Sequence, residues 1–431
     1  MKKYLEMNVF EAAKDRIKFL FNEFENVLVS FSGGKDSTIC LNLAYDYAKE
    51  KGLLSKLAMY HLDYEAQYQM TTDFVAETFA GFDGIRKFWL CLPVGANCAC
   101  NSRGKWIPWE KSKREIWVRE YPESPYIITE DTAEFSFEIG QKDYEVQDLF
   151  CAWFSKKYGS TAVIIGIRAD ESNDRYMLVT STGDSFMQHR YKERKWTVGT
   201  GNLYKAYPIY DWNVEDVWTA TAKQGWKYNR LYDLYYKAGL SIHQMRVASP
   251  FHSSGTETLR LYKVIDPNNW ARMIGRTEGV NFAGLYGGTT AMGWKTVKLP
   301  KGHTWKSYCY FLLSTLDKDL RDHYERILAT SIEYWCEKGG YVAEDIMPEL
   351  EALKADYEDT GASERFGSQH ILKFAKYPDD CDTKSFQKLP SYKRMCVCIM
   401  KNDYYCKYMG FAQTKEAIEK RRKALEKYKN L

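Results

Sequence analysis

One stretch constrains this chain more than any other: Val27-Leu28-Val29-Ser30-Phe31-Ser32-Gly33-Gly34-Lys35-Asp36-Ser37-Thr38. It begins as a short apolar run of strand type and ends in a helical pattern. Between them, Ser32-Gly33-Gly34-Lys35-Asp36-Ser37 reads as a phosphate cradle. Adjacent glycines let the backbone turn sharply and remove the Cβ atoms that would hold an anion away. The helix that follows has unpaired N–H groups in its first turn, pointing at the loop. Ser32, Ser37 and Thr38 add hydroxyl donors, and Lys35 adds a positive charge. Asp36 is out of place in a simple anion hole. It makes sense if a divalent ion enters with the phosphates, or if its carboxylate orients Lys35.

The chain on either side alternates strand and helix patterns. Val9 to Glu25 carries helical apolar spacing. Ile39, Leu43, Tyr47 and Ala48 line one face of a helix that stops near Gly52. Leu57–Leu62 reads as a second strand with Asp63 at its end, 71–82 as a helix, 87–93 as a third strand, and Thr161–Ile167 as the strongest strand. Such alternation predicts a doubly wound α/β domain with a mostly parallel sheet. Ligands of such sheets sit beyond the carboxyl ends of the strands. The cradle, Asp63 and the segment after Ile167 are therefore expected at one crevice. That segment is Arg168-Ala169-Asp170-Glu171-Ser172-Asn173-Asp174-Arg175, with two arginines framing a carboxylate and a serine. Arg presents a planar fork suited to phosphate or sulfate oxygens. A third piece is Tyr207-Pro208-Ile209-Tyr210-Asp211-Trp212-Asn213-Val214-Glu215-Asp216-Val217-Trp218, in which Asn213 suits an N-cap and both tryptophans suit a core.

The cradle is not a Walker loop, which needs Gly, four residues, then Gly-Lys-Ser/Thr. It resembles the pyrophosphate-binding loop of the N-type ATP pyrophosphatases and of phosphoadenosine-phosphosulfate (PAPS) reductases. The Gly-Ile-Arg segment with its Glu-Ser and second Arg resembles the next signature of the PAPS reductases, and the Asp-Trp/Asp-Val-Trp segment the one that closes their domain. Leu285-Tyr286-Gly287-Gly288-Thr289-Thr290-Ala291, Leu299–Lys306 and Lys401–Cys406 extend the likeness over nearly the whole chain, to the PAPS-reductase-like family that includes the prophage co-activator IbrA. The resemblance implies ATP or PAPS as ligand, with magnesium. It also implies a ParB-like protein partner. The candidate binding set is Ser30, Ser32, Gly33, Gly34, Lys35, Asp36, Ser37 and Thr38, with Asp63 near adenosine and Arg168, Glu171, Ser172 and Arg175 on the anionic chain. Lys35, Asp36 and Arg168 are the candidate catalytic groups, and Asp36 the candidate magnesium ligand.

The reductase nucleophile is missing. PAPS reductases carry it in a Glu-Cys-Gly-Leu-His context, which does not occur here, nor does the iron–sulfur pattern of the related adenylylsulfate reductases. The 11 cysteines, an odd number in 431 residues, suit reduced thiols in the cytoplasm. Cys381, Cys396, Cys398 and Cys406 are the candidate zinc thiolates, but Cys-x-Cys is tighter than the usual zinc spacing, so neither zinc nor an iron–sulfur cluster is expected. No apolar run approaches the roughly 20 residues needed to span a bilayer, and no signal-peptide core follows Met1. Net charge is only +4, so the distribution matters more. Basic runs at 101–119 (with Trp106, Trp109 and Trp117), 189–195 and 415–431 raise the possibility of single-stranded nucleic acid.

The expected organisation is a nucleotide-binding domain over 1–245 and a mostly helical domain over 246–431. In the latter, 308–316 and 320–336 read as helices, the second stopped by Gly339-Gly340. Residues 284–293 read as a glycine-rich turn, 377–390 as a loop, and 413–431 as a basic helix. The leading functional reading is an enzyme that splits ATP at the α–β bond, adenylating a substrate and releasing pyrophosphate. The alternatives are a nucleotide-binding regulator acting through a protein or DNA, and sulfur transfer to nucleic acid.

Overall fold

The computed structural model describes residues 6–101, 103–180, 196–247, 249–252, 256–286, 299–342, 344–352, 356–362, 370–380, 389–401 and 403–411. The chain packs as two units, one formed by 1–97 and 106–280, the other by 98–105 and 281–431.

The first unit is built on seven strands: β1 (Asn26–Ser30), β2 (Leu57–Leu62), β3 (Arg86–Leu90), β4 (Ile127–Ile128), β5 (Thr161–Ile164), β6 (Thr197–Thr200) and β7 (Leu203–Ala206). Their spatial order is β4-β3-β2-β1-β5-β7-β6. All neighbours are parallel except the edge pair β6 and β7, which the apolar pattern did not announce. Alternate residues of β1 face opposite layers, as period two requires. Val27 and Val29 join Leu57, Met59, Ala162 and Ile164 under helices α1 (Val9–Glu23), α2 (Lys35–Glu50) and α3 (Gln69–Gly81). Leu28 joins Ala58, Tyr60, Leu62 and Val163 against α4 (Asp143–Tyr158). Both faces are thus covered, and the strands read as near-continuous apolar runs.

Strand order reverses at β1, whose neighbours are β2 on one side and β5 on the other. The crevice beyond that pair is where such sheets bind ligands. β5 was expected to run to Ile167 but ends at Ile164. The reason is Gly166: a Cβ there would lie 2.8 Å from the carbonyl carbon of Asp36 and 2.9 Å from the backbone nitrogen of Ser37. The chain leaves the sheet to pass against the start of α2, and only glycine allows that approach.

The Asp-Trp segment closes the unit. Arg16 of α1, 1% exposed, donates to Asp211 Oδ1 and Oδ2 at 2.8 and 2.7 Å and to Pro208 O at 2.7 Å. Trp212 Nε1 donates to Val9 O at 3.0 Å. Helix α5 (Val214–Gln224) follows, with Asp216 Oδ2 accepting from the Asn213 N–H at 2.8 Å. Trp212 is core, as expected, whereas Trp218 is only half-buried.

The second unit is mostly helical, with α6 (Trp305–Ser314), α7 (Lys318–Ile332) and α8 (Tyr392–Met400) around one apolar cluster. Gly339, at φ +86°, ends the turn that prolongs α7. The unit also contains an unexpected three-stranded antiparallel sheet, of β8 (Gly340–Val342), β9 (Tyr357–Ala362) and β10 (His370–Phe374) in the order β8-β10-β9. Of the glycine-rich stretch, Gly284 to Tyr286 are helical instead of turn, closing the helix Val280–Tyr286, and 287–298 lie outside the described residues. So do the expected basic helix at 413–431, Cys381 and most of the 377–390 loop.

Candidate functional site

The loop from β1 to α2 is braced by its own side chains. Gly33 takes φ +75°, and Gly34 is the N-cap of α2 at φ −90°. Ser37 Oγ accepts from the Ser32 N–H at 3.1 Å and donates to Gly34 O at 3.0 Å, and Thr38 Oγ1 donates to Gly34 O at 2.8 Å. These hydroxyls hold the loop's shape. Asn229, buried, donates from Nδ2 to Gly33 O at 3.2 Å and to Thr71 Oγ1 at 3.0 Å, tying the loop to α3. The N–H groups of the first turn of α2 have no intrahelical partner.

Around this loop lies a cavity of about 240 Å³, at the ends of β1 and β5. Its walls include Ser30, Ser32, Gly34, Lys35, Asp36 and Ser37 from the cradle, Gly166 from the strand end, and Glu171 and Arg175 beyond it. A side chamber of about 60 Å³ shares Lys35, Glu171 and Arg246 and adds Arg168, Asp170 and His243. The structure thus brings Lys35, Asp36, Arg168, Glu171 and Arg175 together. Thr38 and Gly33 are structural members of the loop, Gly33 backed by the methyls of Thr71 and Val75. Ser172 accepts through Oγ from the Arg175 N–H at 3.3 Å.

Asp36 bridges two buried cations. Its Oδ1 accepts from Arg168 Nε at 2.6 Å, and its Oδ2 lies 3.1 Å from Lys35 Nζ. Arg168 is 3% exposed and Lys35 6%. Burial pushes the Lys35 ammonium below its ordinary pKa; Asp36 opposes this, and Arg168 and Arg246 add to it. Glu171 pairs with Arg175 and with Arg246, whose Nη2 also donates to Glu171 O at 3.2 Å. Burial likewise lowers the Arg175 pKa, although guanidinium stays charged at any ordinary pH. Lys35, Arg168, Arg175 and Arg246 face Asp36, Asp170 and Glu171 across the two chambers, leaving one net positive charge beside the helix N-terminus.

The carboxylates that line the main cavity are paired with Lys or Arg. Among the described residues no group of three or more His, Cys, Asp or Glu is placed to hold a metal. Cys396 and Cys398 sit two residues apart on α8, about 200° around the helix. Cys396 donates to Trp305 O at 3.6 Å and Cys398 to Asp403 Oδ2 at 3.7 Å, so the two thiols do not converge. Both have raised pKa values: Cys396 through its hydrogen bond with Cys309 and burial, Cys398 through burial and then Cys406.

Asp63 lies elsewhere than the cavity wall. It is fully buried, with both oxygens 2.6 Å from Arg119 Nη2, and it accepts from Trp89 Nε1 at 2.8 Å and from the Glu65 N–H at 2.8 Å. Glu65, at φ +63°, accepts from Arg276 Nε at 2.8 Å and from the Trp109 N–H at 2.8 Å. Trp106, Trp109 and Trp117 are buried around this ion network, while Arg103, Lys105, Lys111, Lys113 and Arg114 of the 101–119 run stay exposed. Rings so buried cannot stack on bases. The basic runs at 189–195 and 415–431 lie outside the described residues.

Tyr232, Asn229 and Arg246 were not singled out in the sequence, and Gly166 only as the first residue of the Gly-Ile-Arg segment. Its signal is a glycine inside an apolar run of strand type. The others come from 229–247, where nothing in the spacing distinguishes a site residue from a helix or loop residue.

Residues 129–239 match the phosphoadenosine phosphosulfate reductase domain, and 239–420 match a domain of unknown function, DUF3440. Along the whole chain, the "Uncharacterized protein YbdN" of Escherichia coli K12 is 31% identical over 418 residues, 95% of this chain and 92% of YbdN. Similar solved structures include phosphoadenylyl-sulfate reductase from Candida auris in a phosphate complex (TM-score 0.29, 13% identity, 54% of this chain and 93% of that one). Another is FMN adenylyltransferase from Candida glabrata with FMN and the ATP analogue AMPCPP (TM-score 0.30, 15% identity, 54% of this chain). The match spans 64% of the adenylyltransferase, less than two thirds of its length. No helix among the described residues is long and apolar enough to cross a membrane.

Proposed function

The chain belongs to the family of YbdN and carries a PAPS reductase domain, and we propose that its cavity binds an adenine nucleotide by the anionic chain and supports adenylyl transfer at the α–β bond. One observation carries this reading: a glycine cradle and an Asp36-bridged Lys35–Arg168 pair converge where strand order reverses. A cavity of about 240 Å³ falls below the ~300 Å³ at the small end of whole-ligand pockets. It suits the phosphates, with adenosine further out. In the reaction an acceptor atom attacks the α-phosphorus, the bond to the bridging oxygen breaks, and pyrophosphate leaves with the electron pair. The α2 N–H groups and Lys35 offset the charge that develops on that leaving group. Arg168, fixed by Asp36, holds a phosphate oxygen. Magnesium enters, on this reading, with the nucleotide's phosphates.

A second reading has its own observation. Asp36 and Glu171 are tied to cations, and among the described residues that line the main cavity there is no cysteine or histidine to activate an acceptor. That favours a nucleotide-binding regulator with little turnover, working through a protein or nucleic-acid partner. Incubating the pure protein with ATP and magnesium and assaying pyrophosphate separates the two. Release above background supports the enzyme, tight binding without release supports the regulator, and absence of binding removes both.

A further inference from the structure

We propose that the phenolic O–H of Tyr232 is an anion-binding donor of the cavity, aimed at a phosphate oxygen of a polyphosphate ligand. The inference rests on the nucleotide reading above and assigns a residue outside the cradle and the arginine segment. Tyr232 lies in the short helix Leu231–Lys237, is 3% exposed, and lines the cavity. Its oxygen accepts from the Lys35 N–H at 3.0 Å. That N–H belongs to the first turn of α2, where donors have no intrahelical partner.

A phenol has one proton as well as its lone pairs. The oxygen is occupied as an acceptor, and among the described residues the O–H has no hydrogen-bond acceptor. The hydroxyl lies on the cavity wall, and the ring is held in place. It packs edge-on to Trp218 at 5.2 Å between centroids, and Lys35 Nζ lies 5.8 Å from its centre. The proton is therefore available to a guest in the cavity. Burial raises the phenol pKa, so the group remains a neutral donor at ordinary pH. The chain Lys35 N–H to Tyr232 oxygen, then Tyr232 O–H to ligand, carries the helix donor one bond further out. Each link polarises the next. An oxyanion with several lone pairs is the class of ligand that uses it.

The competing role is a plug: the hydroxyl occupies the Lys35 N–H and an anion must displace it. The two roles differ in sign under one substitution. Tyr232→Phe keeps the ring against Trp218 and removes only the hydroxyl. Calorimetric titration of wild type and Y232F with inorganic pyrophosphate and with ATP, each with magnesium, reads the difference. We expect both ligands to bind Y232F roughly tenfold or more weakly, as for loss of a hydrogen bond to a charged group. Y232F also removes the acceptor of the Lys35 N–H, so the ligand-free melting temperature should fall modestly, and the affinities are compared at a temperature where both proteins are fully folded; lost stability without lost affinity would mark a merely structural hydroxyl. Unchanged or tighter binding by Y232F, with wild type binding normally, overturns the donor role and leaves the nucleotide site standing. Absence of binding by wild type overturns the nucleotide reading and this inference with it.

Discussion

Arg168 donates from Nε to Oδ1 of Asp36 at 2.6 Å, across 132 positions of sequence. This contact joins the end of β5 to the first turn of α2, and it holds a guanidinium that is 3% exposed. The same carboxylate holds Lys35 on its other oxygen. Asp36 thus has a structural reason to be in this loop: its one carboxylate bridges two buried cations, and on the nucleotide reading proposed above it holds them until an anion arrives.

Removing Asp36 leaves those cations buried and facing each other. Breaking one partner out of a buried ion pair costs about 3–5 kcal/mol. Asp36 is 16% exposed at its side chain, so Asp36→Ala should lie near the low end, about 3 kcal/mol in urea unfolding. Pyrophosphate should then stabilise the variant more, relative to its ligand-free state, than it stabilises wild type. Equal stabilisation of the two would mean that the anion does not meet the cations Asp36 holds.

The two cradle glycines should separate under substitution. Gly33 is at φ +75° and a Cβ there lies 3.1 Å from methyls of Thr71 and Val75. Gly33→Ala should therefore lose about 1–2 kcal/mol of stability through left-handed strain. Gly34 is at φ −90°, and a Cβ there comes 3.2 Å from Ser32 Oγ and 3.5 Å from Tyr232 OH, inside the cavity wall. Gly34→Ala should fold nearly as wild type and bind nucleotide more weakly. Thermal melts paired with titrations test both, and the opposite ranking would place the anion elsewhere.

Much of this was legible because β1, β2 and the helices around them carry strong periods. Val27–Val29 and Leu57–Leu62 are apolar runs bounded by turn residues, and their strands lie where expected. The strands of the second unit gave no such signal. Tyr357–Ala362 reads Tyr-Glu-Asp-Thr-Gly-Ala, almost wholly polar, and Gly340–Val342 is only three residues long. Their pairing is decided by His370–Phe374 between them, a non-local contact that local pattern does not carry. In the site, the cradle and Arg168 were visible because each follows a buried strand. Asp63 looked the same by that rule, yet it turns inward to Arg119, because a buried guanidinium needed a carboxylate and only tertiary packing shows it.

That inward pairing fixes a different outcome for Asp63. Burial alone would raise its pKa, but Arg119, His61 and its hydrogen bonds outweigh burial and leave it below the ordinary value. A depressed carboxyl pKa contributes stability above the unfolded value, near 3.9, that is lost as pH falls through the folded value. Asp63→Asn should cost about 3–5 kcal/mol at neutral pH by stranding Arg119, and the penalty should shrink below about pH 4. Urea unfolding across pH reads this directly. A penalty that does not shrink in acid would show that the Asp63 charge is not what is lost.

Lys35 gives the sharpest pH dependence on the ligand side. Its pKa is lowered first by burial, then by Arg168 and Arg246, with Asp36 working against them. In the free protein this means that charging Lys35 costs stability below its folded pKa. That cost disappears as pH rises toward the ordinary value near 10.4. A bound polyphosphate reverses the preference, because an anion favours the ammonium. Binding should therefore draw in a proton near the folded pKa. Affinity should fall on the alkaline side earlier than an ordinary lysine would make it fall. Lys35→Met removes the titrating group and keeps much of the chain's bulk. It should bind roughly 10- to 150-fold more weakly at neutral pH, for loss of about 1.5–3 kcal/mol of charge-assisted contact. Its affinity should then be nearly flat with pH through the range where wild type declines. Calorimetry in two buffers of different ionisation heat measures the proton uptake, and the same uptake in wild type and Lys35→Met would assign the proton to another group.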